Sequence, residues 1–176
     1  MRIIGGRLKG KTILPPDGYK ARPTTDFAKE GLFNILENVY VDFSESPADF
    51  DLFAGTGSIG LELASRGCGK VVSVEKDFKH WQYLVRVQKE LQVNEWLPLK
   101  GDAFKYLQTC KEHYDIIIAD PPYALDNLKS IPDAALPLLA EGGLMILEHG
   151  AKDDFSAHPR FIDRRNYGSV NFSFFR

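Results

Sequence analysis

From residue 49 onward, short apolar runs alternate with longer stretches in which apolar residues recur at helical spacing. Five apolar runs predict buried strands: Phe50–Phe53, Val71–Val74, Pro98–Lys100, Ile116–Ala119 and Leu144–Leu147. Helices are predicted between them, at 58–66, 77–92, 103–112 and 127–140. Pro132 and Pro137 should divide the last helix into two pieces. The alternation of strand and helix is typical of a mostly parallel sheet with helices on both faces.

The amino-terminal part follows a different pattern. Arg2–Ile4 and Lys11–Leu14 are β-prone pieces on either side of several glycines, and they predict a small β-hairpin. A helix should begin after Thr24 or Thr25, since either hydroxyl can cap its first turn.

The carboxy-terminal part also leaves the strand–helix alternation. Phe161–Tyr167 and Val170–Phe175, separated by a short turn, predict a terminal β-hairpin. We therefore expect two units along the chain, an N-terminal hairpin extension over residues 1–22 and one larger domain over residues 23–176.

Composition restricts the class of protein. A chain of 176 residues with 44% apolar and 26% charged residues is ordinary for one globular domain. Cys68 and Cys110 lack the spacing of a zinc site or a redox pair, so we expect no metal and reduced thiols. The first 11 residues hold no apolar core of a signal peptide, and no run approaches the roughly 18 apolar residues of a membrane span. These features predict a cytoplasmic protein without a membrane partner. We also expect it to be a monomer.

Charge is distributed unevenly along the chain. Residues 1–29 carry seven cationic and two anionic side chains, a net charge of +5, whereas the whole chain carries −2 and the remainder therefore −7. A basic segment on an acidic body is expected of a protein that contacts a polyanion through that segment. A solvated hairpin with scattered lysines would carry the same charges. The candidate polyanion contacts are Arg2, Arg7, Lys9, Lys11 and Arg22.

A glycine-rich turn follows the first predicted strand. Gly55, Gly57 and Gly60 form a G-x-G-x-x-G sequence at the carboxyl end of that strand, where open α/β sheets bind their ligands. Glu75 ends the second strand, where a carboxylate can accept hydrogen bonds from ribose hydroxyls. By itself the pattern predicts a nucleoside-cofactor site of unspecified type. Its predicted residues are Asp51, Phe53, Gly55, Thr56, Gly57, Glu75, Asp102, Ala103 and Asp120.

Asp51 helps to distinguish between nucleoside cofactors. A dinucleotide would place a pyrophosphate over the turn, and its repulsion from a nearby carboxylate is on the order of 1 kcal/mol or more. S-adenosylmethionine has no phosphate and carries two cationic groups, so Asp51 would be favourable beside it. Asp51 could instead anchor the loop by accepting backbone N–H bonds. Asp102 is placed to reach the adenine amino group, to cap the following helix, or to do both.

The sequence Asp120-Pro121-Pro122-Tyr123 follows the fourth predicted strand. The amino nitrogen of a nucleobase is a poor nucleophile because its lone pair is delocalised into the ring. Hydrogen bonds to Asp120 and to the Pro121 carbonyl would favour a pyramidal nitrogen whose lone pair points at the sulfonium methyl group. The prolines stiffen the loop that carries these acceptors, and Tyr123 offers a face on which a flipped base can stack. A strand end followed by a proline turn, with Tyr123 in ordinary packing, is the alternative.

These motifs resemble those of a known family. Asp-Leu-Phe-Ala-Gly-Thr-Gly-Ser, followed later by Asp-Pro-Pro-Tyr, is similar to the Rossmann-like amino-methyltransferases. Asp-Pro-Pro-Tyr is shared with DNA and protein-amide methyltransferases, whereas Arg-Pro-Thr-Thr-Asp is much more specific. The segments that resemble the RsmD family of 16S rRNA guanine-N2 methyltransferases are Arg2–Gly6, Lys9-Gly10, Arg22–Asp26, Glu30–Asn34 and Tyr167-Gly168.

The resemblance implies a Rossmann-like methyltransferase fold whose seven-stranded, mostly parallel sheet has an antiparallel last strand. It implies methyl transfer from S-adenosylmethionine to the N2 amino group of a guanine in 16S rRNA, of the guanine-966 type, on free rRNA or a small-subunit assembly particle. It also implies that the N-terminal hairpin contacts the rRNA. The implied cofactor contacts are Asp51, Gly55, Gly57, Glu75, Asp102 and Asp120.

Three alternatives remain at this point. An amino-methyltransferase acting on DNA adenine N6 would share the motifs, although 176 residues leave no room for a separate sequence-reading domain. A nicotinamide-dependent oxidoreductase would use the same glycine loop, but Asp51 and Asp-Pro-Pro-Tyr oppose it. A non-catalytic RNA-binding module would have no need for Glu75 and Asp120 together.

Overall fold

The computed structural model describes residues 1–15, 18 and 24–176. The strands are β1 (Ala48–Leu52), β2 (Lys70–Glu75), β3 (Trp96–Lys100), β4 (Tyr114–Ala119), β5 (Leu139–His149), β6 (Phe161–Tyr167) and β7 (Val170–Phe175). The α-helices are α1 (Asp26–Ile35), α2 (Ser58–Arg66), α3 (Phe78–Leu91), α4 (Ala103–Thr109) and α5 (Ile131–Ala135). A π-helical turn, Leu36–Tyr40, continues α1. Short 3-10 turns occupy Gly6–Leu8, Phe43–Glu45, Leu128–Ser130 and Leu136–Leu138.

The strands form one sheet in the order β3-β2-β1-β4-β5-β7-β6. Strands β1 to β5 are parallel to one another. Strand β7 lies between β5 and β6 and is antiparallel to both. The chain proceeds outward from β1 through β2 to β3 and then returns to place β4 on the other side of β1. This reversal of strand order opens a crevice at the carboxyl ends of β1 and β4. The seven-stranded fold with an antiparallel last strand is thereby confirmed.

Both faces of the sheet are covered by apolar layers. Along β4, Ile116 and Ile118 pack into the layer that contains α1 and α2, whereas Ile117 and Ala119 pack into the layer that contains α4 and α5. Successive side chains of a strand point to opposite faces, so a strand covered on both sides needs the continuous apolar run seen here. Strand β4, which leads directly into Asp120, is therefore packed on both of its faces.

The predicted elements differ from the observed ones mainly at their ends. Strand β5 begins five residues earlier than the predicted Leu144–Leu147 run, through a glycine-containing stretch that the apolar pattern does not mark. Helix α4 ends at Thr109 because Cys110 adopts an extended conformation. The 127–140 region is divided as its prolines predict, with Pro132 in the first turn of α5 and Pro137 in the following 3-10 turn.

The N-terminal segment pairs its two arms over a shorter stretch than the predicted β-hairpin. The Ile3 amide donates to the Lys11 carbonyl, and the Ile13 amide donates to the Met1 carbonyl, each at 2.9 Å. Residues 1–15 contain one isolated antiparallel bridge, Arg2–Thr12, and a 3-10 turn between its two arms. The backbone N–H groups of Ile4 and Gly5 donate to the Glu62 carboxylate of α2, at 2.9 and 2.7 Å, rather than to a partner strand. Beyond the bridge, α2 therefore accepts the amides of Ile4 and Gly5 in place of the opposite arm.

The same segment packs closely on α2. Gly6 has a φ of +71°, and a Cβ there would lie 1.8 Å from the carbonyl oxygen of Ser65, so only glycine fits. Ile3 and Leu8 are buried in the core layer of α1 and α2. The predicted boundary between residues 22 and 23 lies outside the described residues.

Within the described ranges, no helix is both long and apolar enough to cross a membrane. In the same part of the chain, no three His, Cys, Asp or Glu side chains are grouped in a way that could hold a metal ion.

Candidate active site

A cavity of about 1200 Å³ lies at the carboxyl edge of the sheet. It is larger than the roughly 300–1,000 Å³ of a typical small-molecule pocket, so a cofactor and a second ligand can share it. The predicted site residues on its wall are Phe53, Gly55, Thr56, Glu75, Asp102, Ala103, Asp120, Pro121, Pro122 and Tyr123. Wall residues that the sequence analysis did not single out include Thr24, Lys76, Asp77, His80, Phe104 and Glu148.

The glycine loop makes a sharp turn from β1 into α2. The backbone φ angle is positive at Phe53, Gly55 and Gly57, with values of 64°, 53° and 74°. Residues other than glycine rarely adopt this conformation. Gly57 does not line the cavity. A Cβ there would lie 2.7 Å from the Trp96 ring and 2.8 Å from Leu84, so this glycine serves the packing of helix against sheet.

Glu75 connects the glycine loop to the start of α3. Its Oε2 accepts a hydrogen bond from the Gly55 amide at 2.9 Å, and its Oε1 accepts one from the Asp77 amide at 2.7 Å. Each carboxylate oxygen can accept two hydrogen bonds, so both retain capacity for ribose hydroxyls. The fixed orientation of the carboxylate at the cavity wall agrees with the predicted ribose site.

Asp51 lies beneath the glycine loop and not on the cavity wall. It is 1% exposed and accepts a hydrogen bond of 2.7 Å from the Ser73 hydroxyl, which in turn accepts one from the Trp96 indole. Burial raises the pKa of Asp51 to about 7, although the Ser73 hydrogen bond acts in the opposite direction. The geometry therefore favours the loop-anchoring role of Asp51 over the direct contact with cofactor cations that the sequence suggested.

Asp102 combines two roles. Its Oδ1 accepts from the amides of Phe104 and Lys105, at 3.1 and 3.2 Å, and so caps α4. Its Oδ2 lies 3.1 Å from the Lys76 ammonium, and this contact holds the pKa of Asp102 below its usual value. Beside it, the rings of Phe53 and Phe104 meet edge to face with centroids 6.1 Å apart. Together these groups give the cavity an aromatic wall with an anionic end.

The Asp-Pro-Pro-Tyr sequence is bound to its surroundings by side-chain hydrogen bonds. The Thr24 hydroxyl lies 3.2 Å from Oδ2 of Asp120 and 3.4 Å from Oε2 of Glu148. The Tyr123 hydroxyl donates to Oε1 of Glu148 at 2.9 Å. Burial, together with the nearby charge of Glu148, raises the pKa of Asp120 well above its ordinary value. Asp120 and Tyr123 thus belong to one hydrogen-bonded cluster.

Sequence reasoning missed two members of this cluster. Thr24 was considered only as a helix cap, a role that the structure gives to Thr25, whose hydroxyl accepts from the Ala28 amide at 3.2 Å. Glu148 was not singled out, although it follows the predicted Leu144–Leu147 strand directly. A carboxylate at that position reaches the same sheet edge as Asp120, and this was the available signal.

Two of the predicted polyanion contacts, Arg2 and Arg7, lie beside carboxylates. Arg7 forms an ion pair with Glu95, which precedes β3 and so lies at the edge of the sheet away from the cavity. Arg2 lies 3.6 Å from Asp26, in the first turn of α1. Lys9 and Lys11 are exposed. Arg22 lies outside the described residues.

Lys29, which contributed to the positive charge of the N-terminal part, is buried. Its ammonium contacts Glu62 at 3.3 Å and the Ser58 hydroxyl at 3.0 Å, and it donates to the carbonyl of Arg2. Burial lowers the pKa of Lys29 while Glu62 raises it. This side chain joins α1, α2 and the N-terminal segment and does not face solvent.

The whole chain matches one protein family. The family model described as "Conserved hypothetical protein 95" covers residues 1–176. Ribosomal RNA small subunit methyltransferase D of Escherichia coli K12 is 32% identical to the chain over 143 residues, covering 81% of this chain and 68% of that protein. The protein of the same name from Haemophilus influenzae is 33% identical over 148 residues, covering 80% and 71%.

A solved structure shares the fold of this chain over its whole length. A hypothetical protein of Thermus thermophilus superimposes with a TM-score of 0.87 at 28% identity, covering 100% of this chain and 99% of that chain. Its match extends over the entire sheet, including the antiparallel β7. Sequence and structure together show that the chain belongs to the RsmD family of S-adenosylmethionine-dependent methyltransferases.

Proposed function

We propose that this protein methylates the N2 amino group of a guanine in 16S rRNA, of the guanine-966 type. We propose further that it acts as a monomer, on free rRNA or on a small-subunit assembly particle. The observation that carries the proposal is the position of Asp120 directly after β4, on the wall of a cavity that is also lined by most of the predicted cofactor residues. The names of the relatives, which are rRNA methyltransferases of the small subunit, support rRNA as the substrate.

The cavity fits S-adenosylmethionine in charge and shape. The aromatic wall of Phe53 and Phe104 suits an adenine ring, and Glu75 suits the ribose hydroxyls. The carboxylates that line the cavity are Glu75, Asp77, Asp102, Asp120 and Glu148. Lys76 also lines the cavity but is paired with Asp102, so the other acidic groups leave a lining that attracts the sulfonium and ammonium groups of S-adenosylmethionine and repels a pyrophosphate. This balance of charge opposes a nicotinamide dinucleotide as the ligand.

Asp120 would accept a hydrogen bond from the target amino group, and the Pro121 carbonyl is the second predicted acceptor. The bound cofactor supplies an electrophilic methyl group. N2 would accept this methyl group through its lone pair, and the electron pair of the broken S–C bond would remain with the departing thioether. The proton released from N2 passes to the Asp120 carboxylate or to solvent. Tyr123 would stack against the base and hold it in line for this displacement.

The direct test is methylation of unmodified 16S rRNA, free and as assembled particles, with isotope-labelled S-adenosylmethionine. Mass spectrometry of the digested nucleosides should show labelled N2-methylguanosine and no labelled methyladenosine. Calorimetric titration should show binding of S-adenosylmethionine and of its demethylated product, but not of NADH. Labelled N6-methyl-2′-deoxyadenosine from a DNA substrate would favour the DNA alternative, and tight NADH binding without S-adenosylmethionine binding would overturn the proposal.

A further inference from the structure

Glu148 and Asp120 enter the cavity side by side. Strands β4 and β5 are adjacent and parallel, and Ala119 pairs with Leu147 at the end of their ladder. The next residue of each strand is therefore one of the two carboxylates, at about the 4.8 Å spacing of neighbouring strands. The Thr24 hydroxyl lies within hydrogen-bond distance of both. Glu148 is 5% exposed and lines the same cavity.

The orientation of the Glu148 carboxylate is determined by two hydroxyl groups. Tyr123 donates to its Oε1, and Thr24 lies beside its Oε2. A carboxylate offers about four acceptor positions in all, so these two contacts do not by themselves exhaust those of Glu148. Two buried carboxylates at this spacing repel each other and are both desolvated. A ligand that presents two adjacent N–H donors would relieve this cost, whereas a ligand with one donor and one acceptor would not.

Among the four bases of RNA, guanine alone presents such a pair of donors. Its N1–H lies next to the N2 amino group on the Watson–Crick edge. Adenine has an exocyclic N6 amino group, but the neighbouring ring atom N1 is an acceptor. Cytosine has an N4 amino group, and its neighbouring N3 is likewise an acceptor. In the ionised pair that the proposed methyl transfer requires, an acceptor placed against Glu148 would meet a carboxylate with no proton to donate.

We infer that Glu148 accepts a hydrogen bond from N1–H of the target guanine while Asp120 accepts one from its N2 amino group, so that Glu148 selects guanine over adenine and cytosine. This inference rests on the proposed function, because it assigns the recognition of the base to be methylated. Glu148 in this role contacts the substrate directly. Tyr123 and Thr24 then position its carboxylate in addition to any contact of their own.

The test uses 16S rRNA fragments that carry either guanine or 2-aminopurine at the methylated position. 2-Aminopurine retains the N2 amino group, but its N1 has a lone pair in place of the N1–H. The wild-type protein should methylate guanine with a kcat/KM at least about 100-fold above that for 2-aminopurine, since a buried acceptor left without its donor discriminates strongly. A wild-type ratio near one would overturn the inference without any variant.

Glu148→Gln provides the second arm of the test. Its amide N–H₂ can donate to N1 of 2-aminopurine, so the guanine preference should fall at least about tenfold. Glu141→Gln is the matched control, because it makes the same chemical change at an exposed position of the same strand; its preference should equal that of the wild type. An unchanged preference in a folded, cofactor-binding Glu148→Gln protein would overturn the inference. If the wild-type protein forms no N2-methylguanosine in the guanine RNA, the proposed function itself fails, which is a distinguishable result.

Discussion

The phenol of Tyr123 donates a hydrogen bond of 2.9 Å to Oε1 of Glu148 and so fixes the end of the Asp-Pro-Pro-Tyr sequence to the neighbouring strand. Its ring also lies against the chain just after β5, where a Cβ on Gly150 would be 3.6 Å from the ring. The orientation of the ring is therefore set by β5 as well as by the proline-containing loop. A base that stacks on Tyr123 would meet a surface already held in place.

We expect the two functions of Tyr123 to separate in two variants. Tyr123→Phe retains the ring and loses the hydrogen bond to Glu148, worth about 0.5–1.5 kcal/mol or roughly 2- to 13-fold in rate. Tyr123→Ala also loses base stacking, worth about 1–3 kcal/mol or roughly 5- to 150-fold. Single-turnover transfer of labelled methyl measures both. Equal rates for the two variants would show that the ring does not support the base.

Asp120→Ala should lose at least about 100-fold in the rate of methyl transfer and retain most of its affinity for the cofactor. The carboxylate is proposed to hold the attacking nitrogen, an interaction that matters mainly in the transition state. Single-turnover kinetics measure the rate, and calorimetric titration with the demethylated cofactor measures the affinity. A near-wild-type rate would remove Asp120 from the mechanism.

The same carboxylate predicts a pH dependence. Because burial and the Glu148 charge raise the pKa of Asp120, a substantial fraction of it holds a proton at pH values where an ordinary aspartate is ionised. The rate should therefore increase with pH until the raised pKa is passed and then level off. Glu148→Gln removes the neighbouring negative charge and should shift this rise to lower pH, with the Thr24 hydroxyl and the more distant Asp51 unchanged. A flat profile from pH 5.5 to 9 would contradict the assignment.

The sequence predicts the sheet and its cavity because both follow from local patterns. Apolar runs mark the positions of β1 to β5, and the edge at which parallel strands end places Glu75 and Asp120 together. The same reasoning could have included Glu148 and did not. The register of β4 against β5 is what identifies Glu148, because the pairing of Ala119 with Leu147 shows that Asp120 and Glu148 are neighbours.

Other features could not be predicted because they depend on contacts between distant parts of the chain. Glu62 accepts the backbone amides of Ile4 and Gly5, which lie 58 and 57 positions earlier, and this limits the length of the N-terminal hairpin. Arg7 pairs with Glu95, 88 positions away, so its charge is directed away from the cavity. Neither contact leaves a periodic signal in the sequence. The basic character of the N-terminal part is therefore a poor guide to which cations are available to RNA.

The free energy of unfolding should fall as pH rises, because the Asp49 carboxyl group is buried in the folded protein. Asp49 is fully buried in β1, and in the described part of the chain its carboxylate oxygens have no hydrogen-bond partner in good geometry. Burial and the nearby Asp51 raise its pKa well above the ordinary value. Between about pH 3.9 and the raised pKa, the folded chain keeps a proton that the unfolded chain has lost. Over that window the free energy of unfolding falls by up to about 1.4 kcal/mol per pH unit.

Asp49→Asn removes this contribution, so its advantage over the wild type should be small near pH 4 and should grow toward neutral pH. Urea unfolding at several pH values measures the difference. Asp126→Asn, at an exposed position, is the control for the loss of one negative charge. A stability difference that does not change with pH would show that Asp49 is not the group responsible.

The N-terminal segment should contribute to RNA affinity through Lys9 and Lys11. Both side chains are exposed, and no carboxylate of a described residue forms an ion pair with either. The acidic remainder of the protein repels RNA at long range, so binding requires local positive charge. Contacts of this kind add affinity with little sequence information.

Replacing Lys9 and Lys11 together by glutamine should weaken RNA binding and flatten its salt dependence by up to about 0.9 log unit per lost contact, or about 0.7 if the RNA is single-stranded. Arg7→Gln removes a cation that is paired with Glu95 at the opposite edge of the sheet, so it should change the salt dependence less. Cofactor affinity should be the same in all three proteins, because none of these side chains lines the cavity. RNA affinity measured at several salt concentrations tests whether Lys9 and Lys11 contact the RNA. A double variant with the wild-type affinity and salt slope would make the segment purely structural, held in place by Glu62 and Ser65 of α2, and RNA would then have to bind through another surface.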